Sequence, residues 1–107
     1  MPDVYRILGQ VAPEAETTTN LYVVPANVQV PACRVWICNR DTATTFRFSL
    51  APAGVEDANE QFIAYDMPID ANESMDFGPF CLLSADVIRV WSKSGGVSFT
   101  VTGLEAS

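Results

Sequence analysis

Apolar and polar residues alternate with a period of two along much of this chain, in short runs that Pro, Gly, Asn and Asp interrupt at intervals of about ten residues. Thr44 to Ala51 has the cleanest pattern. Phe46, Phe48 and Leu50 face one way and Thr45, Arg47 and Ser49 the other, as in a strand with one buried face. Val97 to Gly103 repeats it, with Val97, Phe99 and Val101 expected inside and Ser98, Thr100 and Thr102 outside. In Val28 to Asn39, Val28 and Val30 and then Cys33, Val35 and Ile37 alternate with Arg34, Trp36 and Cys38. The phase slips at Pro31-Ala32, which predicts a bulge or a strand break.

Five further runs complete the set. Val4 to Val11 carries Tyr5 and Ile7 on one face and ends at Ala12-Pro13-Glu14; Thr17 to Val24 is stopped by Pro25. Gln61 to Met67, a short strand around Ser74 to Phe77 that halts before Gly78-Pro79, and Asp86 to Trp91 follow. Asn39-Arg40-Asp41-Thr42 reads as a turn and Ser94-Gly95-Gly96 as a hairpin. The loop from Pro52 to Glu60 has room for a helical turn at most, and no run supports a longer amphipathic helix. The expectation is one all-β domain over residues 1–107, a compact antiparallel β-sandwich of about eight strands, jelly-roll-like or immunoglobulin-like.

Composition agrees with one packed core: 107 residues, 49% hydrophobic and 18% charged, are too apolar for a disordered chain. Charge narrows the partners. Thirteen acidic against six basic residues leave a formal charge of −7, which repels a phosphate backbone, and the basic residues form no cluster. No nucleic acid is expected. The N-terminus lacks the pattern of a secretory signal, and the most apolar stretch, Leu21 to Cys38, is broken by Pro25, Asn27, Gln29, Pro31 and Arg34, so no membrane segment is expected either.

Candidate chemistry is sparse. The chain has no histidine, which removes the commonest general base and metal ligand. Glu56, Asp57, Glu60, Asp66, Asp70, Glu73 and Asp76 crowd one window, yet Asp70-Ala71-Asn72-Glu73 lacks the turn glycine and terminal glutamate of a calcium loop. We expect no catalytic residue, no cofactor and no metal. Trp36 and Trp91 are candidate interface aromatics or, if exposed, a carbohydrate platform. Cys33, Cys38 and Cys81 are odd in number. Cys33 and Cys38 fall roughly 17 Å apart on opposite faces of one strand, too far to pair. Two readings stay open: small buried hydrophobes, or a staple between neighbouring subunits after release into an oxidising medium.

A further signal runs through Leu8-Gly9-Gln10 with Ala12-Pro13, Leu21-Tyr22-Val23-Val24-Pro25, Cys38-Asn39-Arg40, Thr44-Thr45-Phe46-Arg47 with Ala51-Pro52-Ala53-Gly54, Ala64-Tyr65-Asp66 and Asp86-Val87-Ile88-Arg89-Val90. In this ordered series the chain resembles a family of small structural proteins of tailed phages and prophages. The resemblance implies a non-enzymatic virion protein, assembled in the host cytoplasm and present in repeated copies. The leading expectation is a capsid decoration or cementing protein that binds the major capsid protein as a homo-oligomer, such as a trimer. Strand edges offer one route to assembly. The rival positions are the neck, the tail or a fibre attachment point, and the rival class is a module that binds carbohydrate on a host surface.

Overall fold

A computed structural model of the protein describes residues 4–106. Eight strands form: β1 (Val4–Val11), β2 (Thr19–Val23), β3 (Gln29–Asn39), β4 (Thr44–Ala51), β5 (Phe62–Ile69), β6 (Ser74–Leu82), β7 (Val87–Ser92) and β8 (Val97–Ala106). Two short 3₁₀ turns, Pro52–Gly54 and Asn59–Gln61, occupy the loop between β4 and β5. Among the described residues no helix is long and apolar enough to cross a membrane.

The strands make two antiparallel four-stranded sheets in the orders β1-β8-β3-β6 and β2-β7-β4-β5. An immunoglobulin arrangement would set the first two strands side by side; here β1 lies against β8 and β2 belongs to the opposite sheet. The sandwich is a jelly roll, with eight strands wound as two Greek keys. Only β4 and β5 are joined within a sheet, and every other connection crosses between sheets. This corrects the hairpin expected at Ser94-Gly95-Gly96, whose neighbours β7 and β8 lie in different sheets. The β7–β8 turn instead packs on the β3–β4 turn, where the Arg40 amide donates to the Gly96 carbonyl at 2.8 Å. Buried Asn39 gathers this end of the sandwich: its Nδ2 donates to the carbonyls of Thr42 (2.9 Å) and Asp70 (3.1 Å), while its Oδ1 accepts from the Asp41 amide.

The core is the meeting of the two inner faces. Phe46 and Phe48 from β4 pack edge-on against Phe77, Phe80 and Phe99 of the other sheet, with ring centroids 5.2–6.2 Å apart, so aromatic contacts bind the sheets to each other. In β8, Val97, Phe99 and Val101 are fully buried, as the alternation predicts. The slip at Pro31-Ala32 is a register shift of β3 against β8, between Gln29 and Ala32.

β6 departs from the expected short strand. It runs from Ser74 through Gly78-Pro79 to Leu82, and one of its two register shifts against β3 lies between the Phe77 and Phe80 pairings. The bulge needs glycine, because Gly78 has φ 140° and a Cβ there would stand 2.9 Å from the Cys33 carbonyl.

All four outermost strands are similarly interrupted. β1 shifts register between Ile7 and Gly9, and β2 does so between Asn20 and Tyr22. β5 bends at Asp66, which has φ 50°, and carries Pro68. Bulges and prolines on edge strands discourage a neighbour from adding its own strand. Edge pairing, expected as one route to assembly, is therefore disfavoured, and attention moves to the sheet faces.

Candidate functional site

The outer face of the β1-β8-β3-β6 sheet follows from the alternation. Because Val101 and Val35 point into the core, their neighbours in register turn outward: Ile7, Thr102 and Arg34 in one row, and Gln10, Thr100, Trp36 and Asp76 in the next. Trp36 is 44% exposed and its Nε1 donates to Thr102 Oγ1 at 2.8 Å. The two charges on these rows, Arg34 and Asp76, meet at 2.7 Å and cancel. Tyr5 and Ile7 are 73% and 58% exposed. They line a groove of about 440 Å³ together with Ala32, Arg34, Pro79 and Thr102. Its chemistry is mainly apolar, and among the described residues no hydrogen-bonded set of acid, base and nucleophile lies in it.

The cysteines divide between core and surface. Cys38 is exposed on this outer face, opposite Ser74 and Ser98. Cys81, flanked by Phe80 and Leu82 that pack inward, is exposed at the β6 edge. Cys33 is only 2% exposed, and burial pushes its thiol up to about 11. It belongs with the buried hydrophobes. Its place in the core argues against a link to another subunit, and Cys38 and Cys81 are the exposed thiols.

The outer face of the β2-β7-β4-β5 sheet is partly covered, although Tyr65 stays 57% exposed. The Arg47 guanidinium stacks over the rings of both Trp91 (4.0 Å) and Tyr65 (4.2 Å), and its Nε donates to Asp66 Oδ1 at 2.6 Å. That hydrogen bond raises the guanidinium pKa further, so its charge is permanent. Phe62 packs edge-on against Tyr65 at 4.9 Å. From β7, Arg89 donates to the Gly54 and Val55 carbonyls and to Asp57 Oδ1, tying the β4–β5 loop to this face. Trp91 is consequently half-buried under Arg47 rather than displayed, a correction to its reading as an open aromatic platform. Asp57, Asp66 and Asp76, from the acidic window, each serve an arginine. Glu73 Oε1 accepts from the Asp70 amide at 2.7 Å and closes a turn.

Sequence inspection missed a third cluster. At one end of the sandwich, Glu105 of β8 accepts hydrogen bonds from the Tyr22 hydroxyl of β2 and from Arg6 of β1. The Tyr22 hydroxyl, and secondarily Arg6, holds the Glu105 carboxyl below the usual carboxylate range; burial and Glu105 push the Tyr22 phenol up. These residues lie far apart in the chain: the pairing of β1 with β8 sets Arg6 near Glu105, and closure of the two sheets at this end brings Tyr22 to them.

Fold and surface together define a jelly-roll β-sandwich whose outer faces differ in what lies across them. Among solved structures, the chain is similar to a chain in the structure of infectious bursal disease virus, Gx strain, with a TM-score of 0.56 and 13% sequence identity. The match covers 97% of this chain but 30% of that one, so the present chain corresponds to a minor part of its neighbour, and the likeness is one of fold. No protein-family model matches the chain, and no curated protein does. Of the expected resemblance, this supports the fold alone, and the tailed-phage family has no support from it.

Proposed function

We propose that the protein is a non-enzymatic structural subunit of a virus particle, and more specifically a head decoration protein of a tailed phage. The observation that carries the reading is the jelly roll itself, matched over 97% of the chain by part of a chain from a virus structure, in a fold that recurs in viral shells. The outer face of the β1-β8-β3-β6 sheet supports it. A mainly apolar, charge-neutral surface suits packing against protein, whereas catalysis would require convergent polar groups in a cleft. The interrupted strand edges add to this, since they direct assembly to faces. The glycan-binding alternative now rests on Trp36 alone, because Trp91 is covered.

Particle reconstruction together with copy number from a stained gel tests the proposal. On the order of hundreds of copies on the head lattice are expected for a decoration protein, and a ring of tens or fewer would move it to the neck or tail. Absence of the chain from purified particles would overturn the structural reading altogether.

A further inference from the structure

We infer that the outer face of the β1-β8-β3-β6 sheet is a self-association surface, on which a second copy of this chain docks about a two-fold axis. The inference rests on the structural reading above in taking that face as a contact surface, and it commits to a copy of the chain as the occupant.

Charge is the first reason. A chain with a formal charge of −7 repels its own copies. The surplus acid lies in loops and turns: Glu14, Glu16, Asp41, Glu56, Glu60 and Asp70 are all exposed outside the strands. The face and its groove carry Arg34 and Asp76, already paired at 2.7 Å, and Arg6, which is bound to Glu105. Two copies meeting here bring no unpaired like charges together. The opposite face is a poorer choice, because Arg47, Arg89 and the acidic β4–β5 loop lie across it.

Shape is the second reason. A two-fold contact places the same patch on both sides, so the patch must complement itself. Here Tyr5 and Ile7 stand 73% and 58% exposed beside the groove they line. Each copy therefore offers both projecting apolar side chains and a recess to receive them. Size permits it. Four strands of 8–11 residues, rising about 3.3 Å per residue and lying about 4.8 Å apart, make a face of roughly 600 Å², at the lower end of what a specific interface buries per partner.

Sedimentation of the full chain across the micromolar range tests this. The wild type should sediment as a dimer. Ile7→Glu puts a charge into the patch and Thr100→Arg places a cation at its centre; each should weaken dimerisation by about tenfold or more. Ile63→Glu, on an exposed position of the opposite sheet, should leave it unchanged. Far-UV circular dichroism and thermal midpoints of the variants establish that they remain folded, and Thr100→Arg, at the surface, serves if Ile7→Glu does not fold. A wild type monomeric throughout the range would overturn the inference. So would a trimer, which needs two different patches, or a dimer broken only by Ile63→Glu. A monomer that still decorates particles, and loses that binding with Thr100→Arg, would show the face to be for another protein. That outcome overturns self-association and leaves the proposed function standing.

Discussion

The two outer faces of the sandwich use their aromatic residues in opposite ways. On the β2-β7-β4-β5 sheet, Trp91 and Tyr65 are held by the Arg47 guanidinium at 4.0 and 4.2 Å, and Arg89 draws a loop across the surface. On the β1-β8-β3-β6 sheet, Trp36, Tyr5 and Ile7 remain exposed beside one internally neutralised ion pair. The first face is partly satisfied within the chain, with Tyr65 still 57% exposed. The second leaves apolar surface in water, a cost that is recovered when another surface covers it. A tryptophan's chemistry is therefore a weaker guide to its role than the strand that delivers a cation beside it.

The largest expected effect comes from the core both faces share. Phe48→Ala removes a ring that touches Phe77 and Phe80 of the opposite sheet, and should cost about 3–5 kcal/mol in urea unfolding. Next is the partly covered face. Arg47→Ala strips the stack and the Asp66 hydrogen bond and should cost about 1–2 kcal/mol. Trp36→Ala on the other face loses one hydrogen bond, to Thr102, and should cost about 1 kcal/mol or less. Equal losses for Arg47→Ala and Trp36→Ala would break the contrast between the faces.

The Tyr22–Glu105–Arg6 cluster gives a smaller, pH-dependent effect. Because the folded Glu105 carboxyl is held below its ordinary value, its contribution to stability is present above the usual glutamate range, about 4.3. It is lost as pH falls through the lowered folded value. The stability difference between wild type and Glu105→Gln should therefore shrink on acidification through that window, as followed by chemical denaturation at a series of pH values. A difference independent of pH would show that the carboxylate charge contributes nothing.

Thiol reactivity sharpens the comparison without altering stability. In the native protein a thiol reagent should titrate Cys38 and Cys81 promptly, and Cys33 only as the chain unfolds, since it is 2% exposed with its thiol pushed up to about 11. If cysteines staple subunits in oxidised particles, non-reducing gels should show crosslinks abolished by Cys38→Ser, Cys81→Ser or both. Cys33→Ser should leave them intact.

Local pattern alone determined much of this molecule. Strict alternation in Val97–Gly103 identifies which side chains are buried, because a strand's side chains alternate whatever it pairs with; in Thr44–Ala51 it does so for Phe46 and Phe48, whereas Ser49, expected outside, is only 2% exposed. The same rule places Cys33 and Cys38 on opposite faces, and the slip at Pro31-Ala32 marks a true register shift. Tertiary structure decided which sheet each strand joins. Ser94-Gly95-Gly96 has hairpin chemistry, but a tight turn of that kind can also carry the chain across to the other layer, and only packing of the whole core selects between the two. The same limit hid the site. Arg47 covers Trp91 because β4 pairs with β7, and Tyr22 meets Glu105 because the two sheets close at one end. Alternation reveals that a residue faces outward; what waits there depends on contacts between residues distant in the chain.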